Sequence, residues 1–307
     1  MACRPRGSGH ACAHRLARAV PAWLLSLIVG LLAPSLATAQ DSGSSDRELR
    51  ELALSAIPWR ALSAEEVPLV SQTVRGSSLY RQLPTRLIDC DPEMFTHLVS
   101  HPDFVVQVWR ELGISKLKVQ QVGPGRYQVA DAAGASGTVS VFHCTGGARN
   151  GRAQPLVLLA RADGAYDAPG LPKPLSATSL MLLRADFFTE SNGRHYVKAR
   201  LDSFVRFDQP AAALVAKTLQ PLVMKTADRN FVETMRFVSV FSRTAETNPK
   251  GVRALVDRMP NLGAGQRAEF LRVCDATAQR NQLRQQAQVW VTPVRQTSAA
   301  GEASPRR

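Results

Sequence analysis

The clearest regular pattern in the chain is an alternation of side-chain character between residues 196 and 207. One set of alternating positions is mostly apolar and comprises Val197, Ala199, Leu201, Ser203, Val205 and Phe207. The other set is mostly polar and comprises Tyr196, Lys198, Arg200, Asp202, Phe204 and Arg206. A period of two predicts an antiparallel strand with one dry face and one wet face. We therefore expect Tyr196, Arg200 and Asp202 to face solvent.

Shorter apolar segments predict further strands upstream of this one. They cover residues 79–88, 117–122, 127–130, the region around Val139 and Val141, 156–162 and 180–188. Gly123-Pro124-Gly125 predicts a tight hairpin connection, and Ser191-Asn192-Gly193 predicts another. Consecutive strands joined by hairpins indicate an antiparallel sheet.

Helical periodicity appears before, within and after this strand-rich region. Two short helices precede residue 78, and the second begins with a capping box of Ser63 and Glu66. Two more follow the first strand, starting near Pro92 and Pro102. A long amphipathic helix is predicted over 210–247, followed by helices over 249–259 and 264–288.

The order of these elements over residues 78–248 is a strand, two short helices, about six antiparallel strands and one long helix. This order resembles the helix-grip fold of the START-like superfamily, which includes polyketide cyclases and lipid-transfer modules. The passages that carry the resemblance are residues 88–113 and 196–241. We therefore predict an α+β fold in which a curved antiparallel sheet wraps around a long C-terminal helix, with extra N- and C-terminal helices.

The resemblance implies a cavity for an apolar ligand between the sheet and the long helix. The expected lining residues are Trp109, Met181, Leu183, Phe187, Leu201, Phe231 and Met235. A filled core remains an open alternative, because large side chains could occupy the same space. Those side chains are Met181, Leu183, Phe187, Met235 and Phe241.

The first 39 residues have the three parts of a secretory signal peptide. They carry four Arg and no acid, an apolar run over 22–32 and Ala37-Thr38-Ala39 before Gln40. We predict export to the periplasm or the medium, with an uncleaved membrane anchor as the alternative. The remaining organisation is predicted as a linker and helical appendage over 40–77, the helix-grip domain over 78–248, a helical extension over 249–290 and a disordered tail over 291–307.

Charge and cysteine content narrow the range of partners. The formal net charge of +13 includes four Arg of the predicted signal, which leaves +9 for the rest. That balance favours an anionic membrane or glycolipid surface, and no RNA-binding module is present, so we predict no nucleic-acid partner. After residue 39 the cysteines are Cys90, Cys144 and Cys274, an odd number that leaves at least one thiol free or paired between chains.

No group of residues in the sequence predicts a reaction. His97 and His101 have a metal-compatible spacing, but Pro102 ends the helix there, so we interpret them as surface or capping residues. The adjacent pair His143-Cys144 would point to opposite strand faces, which is poor geometry for nucleophilic catalysis. Asp89, Asp91 and Glu93 cluster near the start of a predicted helix, where negative charge complements the helix dipole, so capping explains them without an acid–base role.

The sequence therefore predicts no catalytic residue, no metal and no cofactor. The favoured hypothesis is an exported, non-enzymatic envelope protein that binds a hydrophobic or amphiphilic small molecule between sheet and helix. A structural or protein-interaction module with a filled core is the alternative, and a cyclase or hydrolase is less favoured.

Overall fold

The computed structural model describes residues 42–132, 134–166, 174–208 and 210–291. The predicted signal peptide, and the predicted tail from residue 292 onward, lie outside the described residues. The helices are α1 (Arg47–Ser55), α2 (Glu66–Arg75), α3 (Pro92–Ser100), α4 (Pro102–Glu111), α5 (Pro210–Thr247), α6 (Pro249–Asp257) and α7 (Ala264–Val291). The strands are β1 (Leu79–Gln82), β2 (Arg86–Asp89), β3 (Lys118–Gly123), β4 (Arg126–Ala130), β5 (Ala135–Arg149), β6 (Arg152–Tyr166), β7 (Leu175–Thr189) and β8 (His195–Phe207).

The eight strands form one curved antiparallel sheet in the order β1-β8-β7-β6-β5-β4-β3, with β2 also pairing with β8. Every pairing is antiparallel, and the long helix α5 follows the last strand. The predicted fold class, an α+β helix-grip-like architecture with extra terminal helices, is confirmed. Register shifts in β5, near Val141 and Gly147, mark bulges, which increase the local bend of a strand.

One predicted strand is divided in the structure. The segment 79–88 forms the two short strands β1 and β2, both of which pair with β8. Pro84 lies between them and has no backbone N–H to donate to a ladder. Pro84 therefore explains why the predicted strand is divided into β1 and β2.

The inner face of the sheet forms the main core with α3, α4 and α5. Val197, Ala199 and Leu201 of β8 are buried on this face, as the alternation predicts. Phe231 and Met235 of α5 are buried against it, one helical turn apart. The sheet and the long helix thus bury each other's apolar surfaces.

The outer face of the sheet corrects the prediction that it is solvated. Asp202 and Phe204 of β8 are both fully buried, since α2 packs over β7 and β8 and α1 packs against the neighbouring strand β1. The carboxylate of Asp202 accepts hydrogen bonds from Tyr80 Oη at 2.8 Å and Arg184 Nη2 at 2.7 Å. Tyr196 and Arg200, the other two residues expected in solvent, are half-buried. The alternation correctly predicted a strand. Around Asp202 and Phe204, the face of β8 that carries the mostly polar set is buried in a second core.

The C-terminal helix α7 packs against α3, α5 and α6. Arg280 of α7 reaches the N-terminus of α3, where its guanidinium donates to both carboxylate oxygens of Asp91, at 2.7 and 2.9 Å. It also donates to Glu93 at 3.0 Å. A paired charge network therefore joins the last described helix to the first helix of the predicted helix-grip region.

None of the helices in the described ranges combines the length and hydropathy needed to cross a membrane.

Candidate functional site

An apolar cavity lies between the inner face of the sheet, the α3–α4 pair and α5. The sheet supplies Val139, Val141, Leu158, Ala160, Met181, Leu183 and Leu201. The α3–α4 pair supplies Leu98, Val99, Pro102, Val105 and Trp109. The long helix supplies Phe231, Thr234, Met235 and Val238.

Local sequence explains why these side chains converge. Phe231, Met235 and Val238 recur at helical spacing, so they form one stripe that faces the sheet. Leu158 and Ala160 are two residues apart on β6 and therefore share a strand face. Ala160 is buried and has a short side chain between its strand partners Val141 and Met181, which leaves space beneath the helices.

The cavity has a volume of about 150 Å³, and among the described residues that line it only Thr234 is polar. An apolar cavity of about this volume can hold a molecule the size of benzene. The space is smaller than the roughly 300–1,000 Å³ of typical small-molecule pockets, so it suits part of a larger apolar molecule.

Six of the seven predicted lining residues are brought together here. They are Trp109, Met181, Leu183, Leu201, Phe231 and Met235. The prediction missed the contributions of α3, β5 and β6. Their apolar spacing was visible in the sequence, but nothing local indicated which end of each element lies over the cavity.

The seventh residue, Phe187, lies outside this lining. It shares the inner face of β7 with Met181 and Leu183, but it is nearer the end of the strand. There the ring of Phe95 of α3 packs edge-on against it, with the ring centroids 5.9 Å apart. Phe241 was expected among the residues that could fill the space. Its ring instead stacks on that of Phe237, with the ring centroids 5.5 Å apart.

The acidic cluster at the start of α3 has structural partners. Asp91 caps the helix by accepting the backbone N–H groups of Glu93 and Met94, each at 3.0 Å. Asp89 accepts a hydrogen bond from Arg194 Nε at 2.8 Å. Capping and ion pairing therefore account for these carboxylates, as their helix-start position predicts.

The two histidines of α3 differ in environment. His101 lies at the end of α3 and the start of α4, and its Nδ1 is 2.9 Å from the carbonyl oxygen of His97. His97 is only 5% exposed, which corrects its expected place at the surface, because the rings of Phe104 and Phe270 cover it. Burial, together with the nearby His101 and Arg272, lowers the pKa of His97 to about 3.

Cys90, Cys144 and Cys274 are all free thiols. Burial raises the pKa of Cys90 and raises that of Cys274 to about 11. Cys144 is exposed, but packing around its sulfur also raises its pKa. None of these three environments favours a reactive thiolate at neutral pH.

No protein-family model matches the chain, and no curated protein matches it either.

Proposed function

We propose that this protein is an exported START-like protein that binds a hydrophobic or amphiphilic, lipid-like molecule between its sheet and long helix. The observation that carries the proposal is the 150 Å³ cavity, whose lining is apolar except for Thr234. The order of the strands and the position of α5 on the inner face support membership of the superfamily.

The energetics favour an apolar occupant over water. Water in this cavity would find almost no hydrogen-bonding partner, whereas each buried methylene group contributes about 0.8 kcal/mol. Ligands with a longer alkyl chain should therefore bind about fourfold more tightly per added CH₂ until the cavity is full. The volume corresponds to a segment of about six carbon atoms, so we expect this gain to stop near that length.

The full-length protein can test this prediction with a series of straight-chain fatty acids that displace a polarity-sensitive fluorescent fatty acid. We expect affinity to rise with chain length and then level off. Native mass spectrometry of the same preparation should show a bound lipid-like mass. Affinity that is independent of chain length would contradict the proposal and would favour a structural or interaction module.

A pair of substitutions on β6 separates filling of the cavity from general overpacking. Ala160 lines the cavity, and Ala162 lies two residues further on the same buried face but outside the lining. We expect Ala160→Leu to weaken binding at least tenfold and Ala162→Leu to leave it unchanged. Urea unfolding of both variants measures the overpacking cost of about 1–3 kcal/mol that either can carry. Equal binding by both variants would place the ligand elsewhere.

The envelope location is part of the proposal and depends on the first 39 residues. A fusion of these residues to a reporter that is active only outside the cytoplasm should be active. Removal of the Arg residues at its start should abolish that activity, while an active reporter without the segment would refute export by this route. The net charge of +9 after the segment would assist contact with anionic lipid surfaces.

A further inference from the structure

A second, polar pocket lies along α3, and none of its lining residues is shared with the apolar cavity. Its volume is about 320 Å³, and its lining includes His97, His101, Glu269, Glu93 and Arg272. His97, His101 and Glu269 each bring one nitrogen or carboxylate oxygen to within 4.8 Å of the others. Two imidazoles and a carboxylate are the ligand types of zinc sites with three protein ligands and an open fourth position.

We propose that His97, His101 and Glu269 form a Zn²⁺ site at the junction of α3 and α7. The proposal does not rest on the lipid-binding function. It replaces the interpretation of the two histidines as surface or capping residues with a ligand pair four residues apart, completed by a residue of a distant helix.

The tautomer of His101 prepares it to bind a metal. A carbonyl oxygen can only accept, so the 2.9 Å contact between His101 Nδ1 and the His97 carbonyl oxygen requires a proton on Nδ1. In neutral His101, Nε2 then carries the lone pair, and this atom lies 3.9 Å from Glu269 Oε2. A backbone acceptor that fixes the tautomer in this way is typical of metal-binding histidines.

His97 is a buried side chain whose polar atoms lack adequate partners. Its Nε2 is buried with no hydrogen-bond partner. Its Nδ1 lies 3.9 Å from Glu269 Oε1, which is beyond hydrogen-bond distance. A buried imidazole without partners is costly, and a metal ion bound at Nδ1 would fill the 3.9 Å gap between this nitrogen and Glu269.

The distances fit a metal after an adjustment of the side chains. Zinc binds imidazole nitrogen and carboxylate oxygen at about 2.0–2.2 Å, so tetrahedral neighbours lie roughly 3.3–3.5 Å apart. The two 3.9 Å nitrogen-to-oxygen distances end at different oxygens of Glu269 and need to close by about 0.5 Å. One donor atom from each residue forms a set within 4.8 Å, which needs to close by up to about 1.4 Å. Glu269 can supply much of this movement because its side chain is 50% exposed. The two rings already stack with centroids 4.3 Å apart, which holds the imidazoles next to each other.

The charges of the pocket are compatible with a cation. The lining carries the carboxylates of Glu93 and Glu269 and the guanidinium groups of Arg149 and Arg272. Arg272 donates to Glu93 Oε1 at 3.0 Å, which offsets its field.

The test uses the full-length protein after chelator treatment, with Zn²⁺ added in competition with a chromophoric chelator. We expect one tightly bound ion, with Kd of about 1 μM or below. His97→Gln, His101→Gln and Glu269→Gln should each weaken binding at least tenfold. His195→Gln, which changes a half-buried histidine outside the pocket, should bind like the unmodified protein.

Co²⁺ gives a second readout that reports geometry. A four-coordinate site produces strong visible absorption, and we expect Glu269→Gln to reduce its intensity. This variant is the decisive one because Glu269 is half exposed, so its replacement does not threaten folding. Absence of binding at 100-fold excess metal would overturn the proposal. Unchanged affinity in Glu269→Gln, or equal weakening by His195→Gln, would overturn it as well.

Discussion

Replacement of Arg280 by Met tests the claim that α7 is fixed to the N-terminus of α3 by a paired charge network. The guanidinium donates three hydrogen bonds of 2.7–3.0 Å to Asp91 and Glu93. These carboxylate side chains are only 3% and 7% exposed, whereas that of Arg280 is 28% exposed. Methionine keeps the helical propensity and much of the side-chain length, so the variant removes the charge and little else.

The expected loss of stability depends on the two carboxylates that remain charged after Arg280 is replaced. Removing one partner of a buried ion pair costs about 3–5 kcal/mol because the remaining charge is poorly solvated. Glu93 keeps Arg272 at 3.0 Å, and Asp91 keeps its capping hydrogen bonds, so the lower end of this range applies. We expect Arg280→Met to lower the free energy of unfolding by about 3 kcal/mol, which is more than a hundredfold in the unfolding equilibrium.

Urea unfolding measures the change in the free energy of unfolding of the whole protein. Hydrogen exchange of the α7 amides shows whether this helix is the part that is destabilised. Arg253→Met is the matched control, since Arg253 also joins α7 to a neighbouring helix, through Asp275 at 2.9 Å. That pair is 46% and 60% exposed, so its loss should cost no more than about 1 kcal/mol. If the two variants lost the same stability, the argument from buried charge would be refuted.

Two further substitutions test other parts of the fold. Tyr80→Phe removes a 2.8 Å hydrogen bond to the fully buried carboxylate of Asp202. We expect it to lower the free energy of unfolding, measured in urea, by about 1–3 kcal/mol. Unchanged stability would show that the buried contacts on the outer face of the sheet contribute little. Gly146→Ala would place a Cβ 1.8 Å from the carbonyl oxygen of Pro155, whereas Gly151→Ala, also at φ +76°, meets nothing within 4 Å. We therefore expect Gly151→Ala to lower the free energy of unfolding by only about 1–2 kcal/mol, the cost of a left-handed backbone for Ala. Gly146→Ala should lower it clearly more. Equal thermal midpoints for the two variants would contradict the steric argument.

Sequence reasoning succeeded where neighbouring residues determine the structure. The capping box of Ser63 and Glu66 forms as expected, with reciprocal hydrogen bonds of 2.8 and 3.2 Å. The Gly123-Pro124-Gly125 segment joins β3 to β4 as predicted. Turns and caps involve residues only a few positions apart, so their chemistry can be read directly from the sequence.

It failed where burial depends on distant parts of the chain. The alternation on β8 identified the strand, but Asp202 is buried with Tyr80, which lies 122 residues away in sequence. An aspartate in a polar set is most simply expected in water. Only the packing of α1 and α2 over the sheet reverses that expectation.

The candidate sites show the same division. Periodicity identified six of the seven predicted lining residues, because inner-face strand positions and the helix stripe must meet. Phe187 lies outside this lining, since periodicity gives the face of a strand but not which helix covers each end of it. The histidine pair was visible as a spacing, but Glu269 is more than 160 residues away, so no local pattern could supply the third ligand.

These contacts also show that α7 aligns with α3 at both ends. Glu269 faces His97 and His101 at the C-terminal end of α3, and Arg280 binds Asp91 at the N-terminal end. Glu269 and Arg280 are 11 positions apart, a rise of about 16 Å along a helix, which matches the length of α3 with its caps. Because the C-terminal half of α3 also lines the apolar cavity, α7 indirectly positions one wall of the cavity. Tests of ligand binding therefore require the chain with α7 intact, and a truncated domain ending after α5 would alter the proposed site itself.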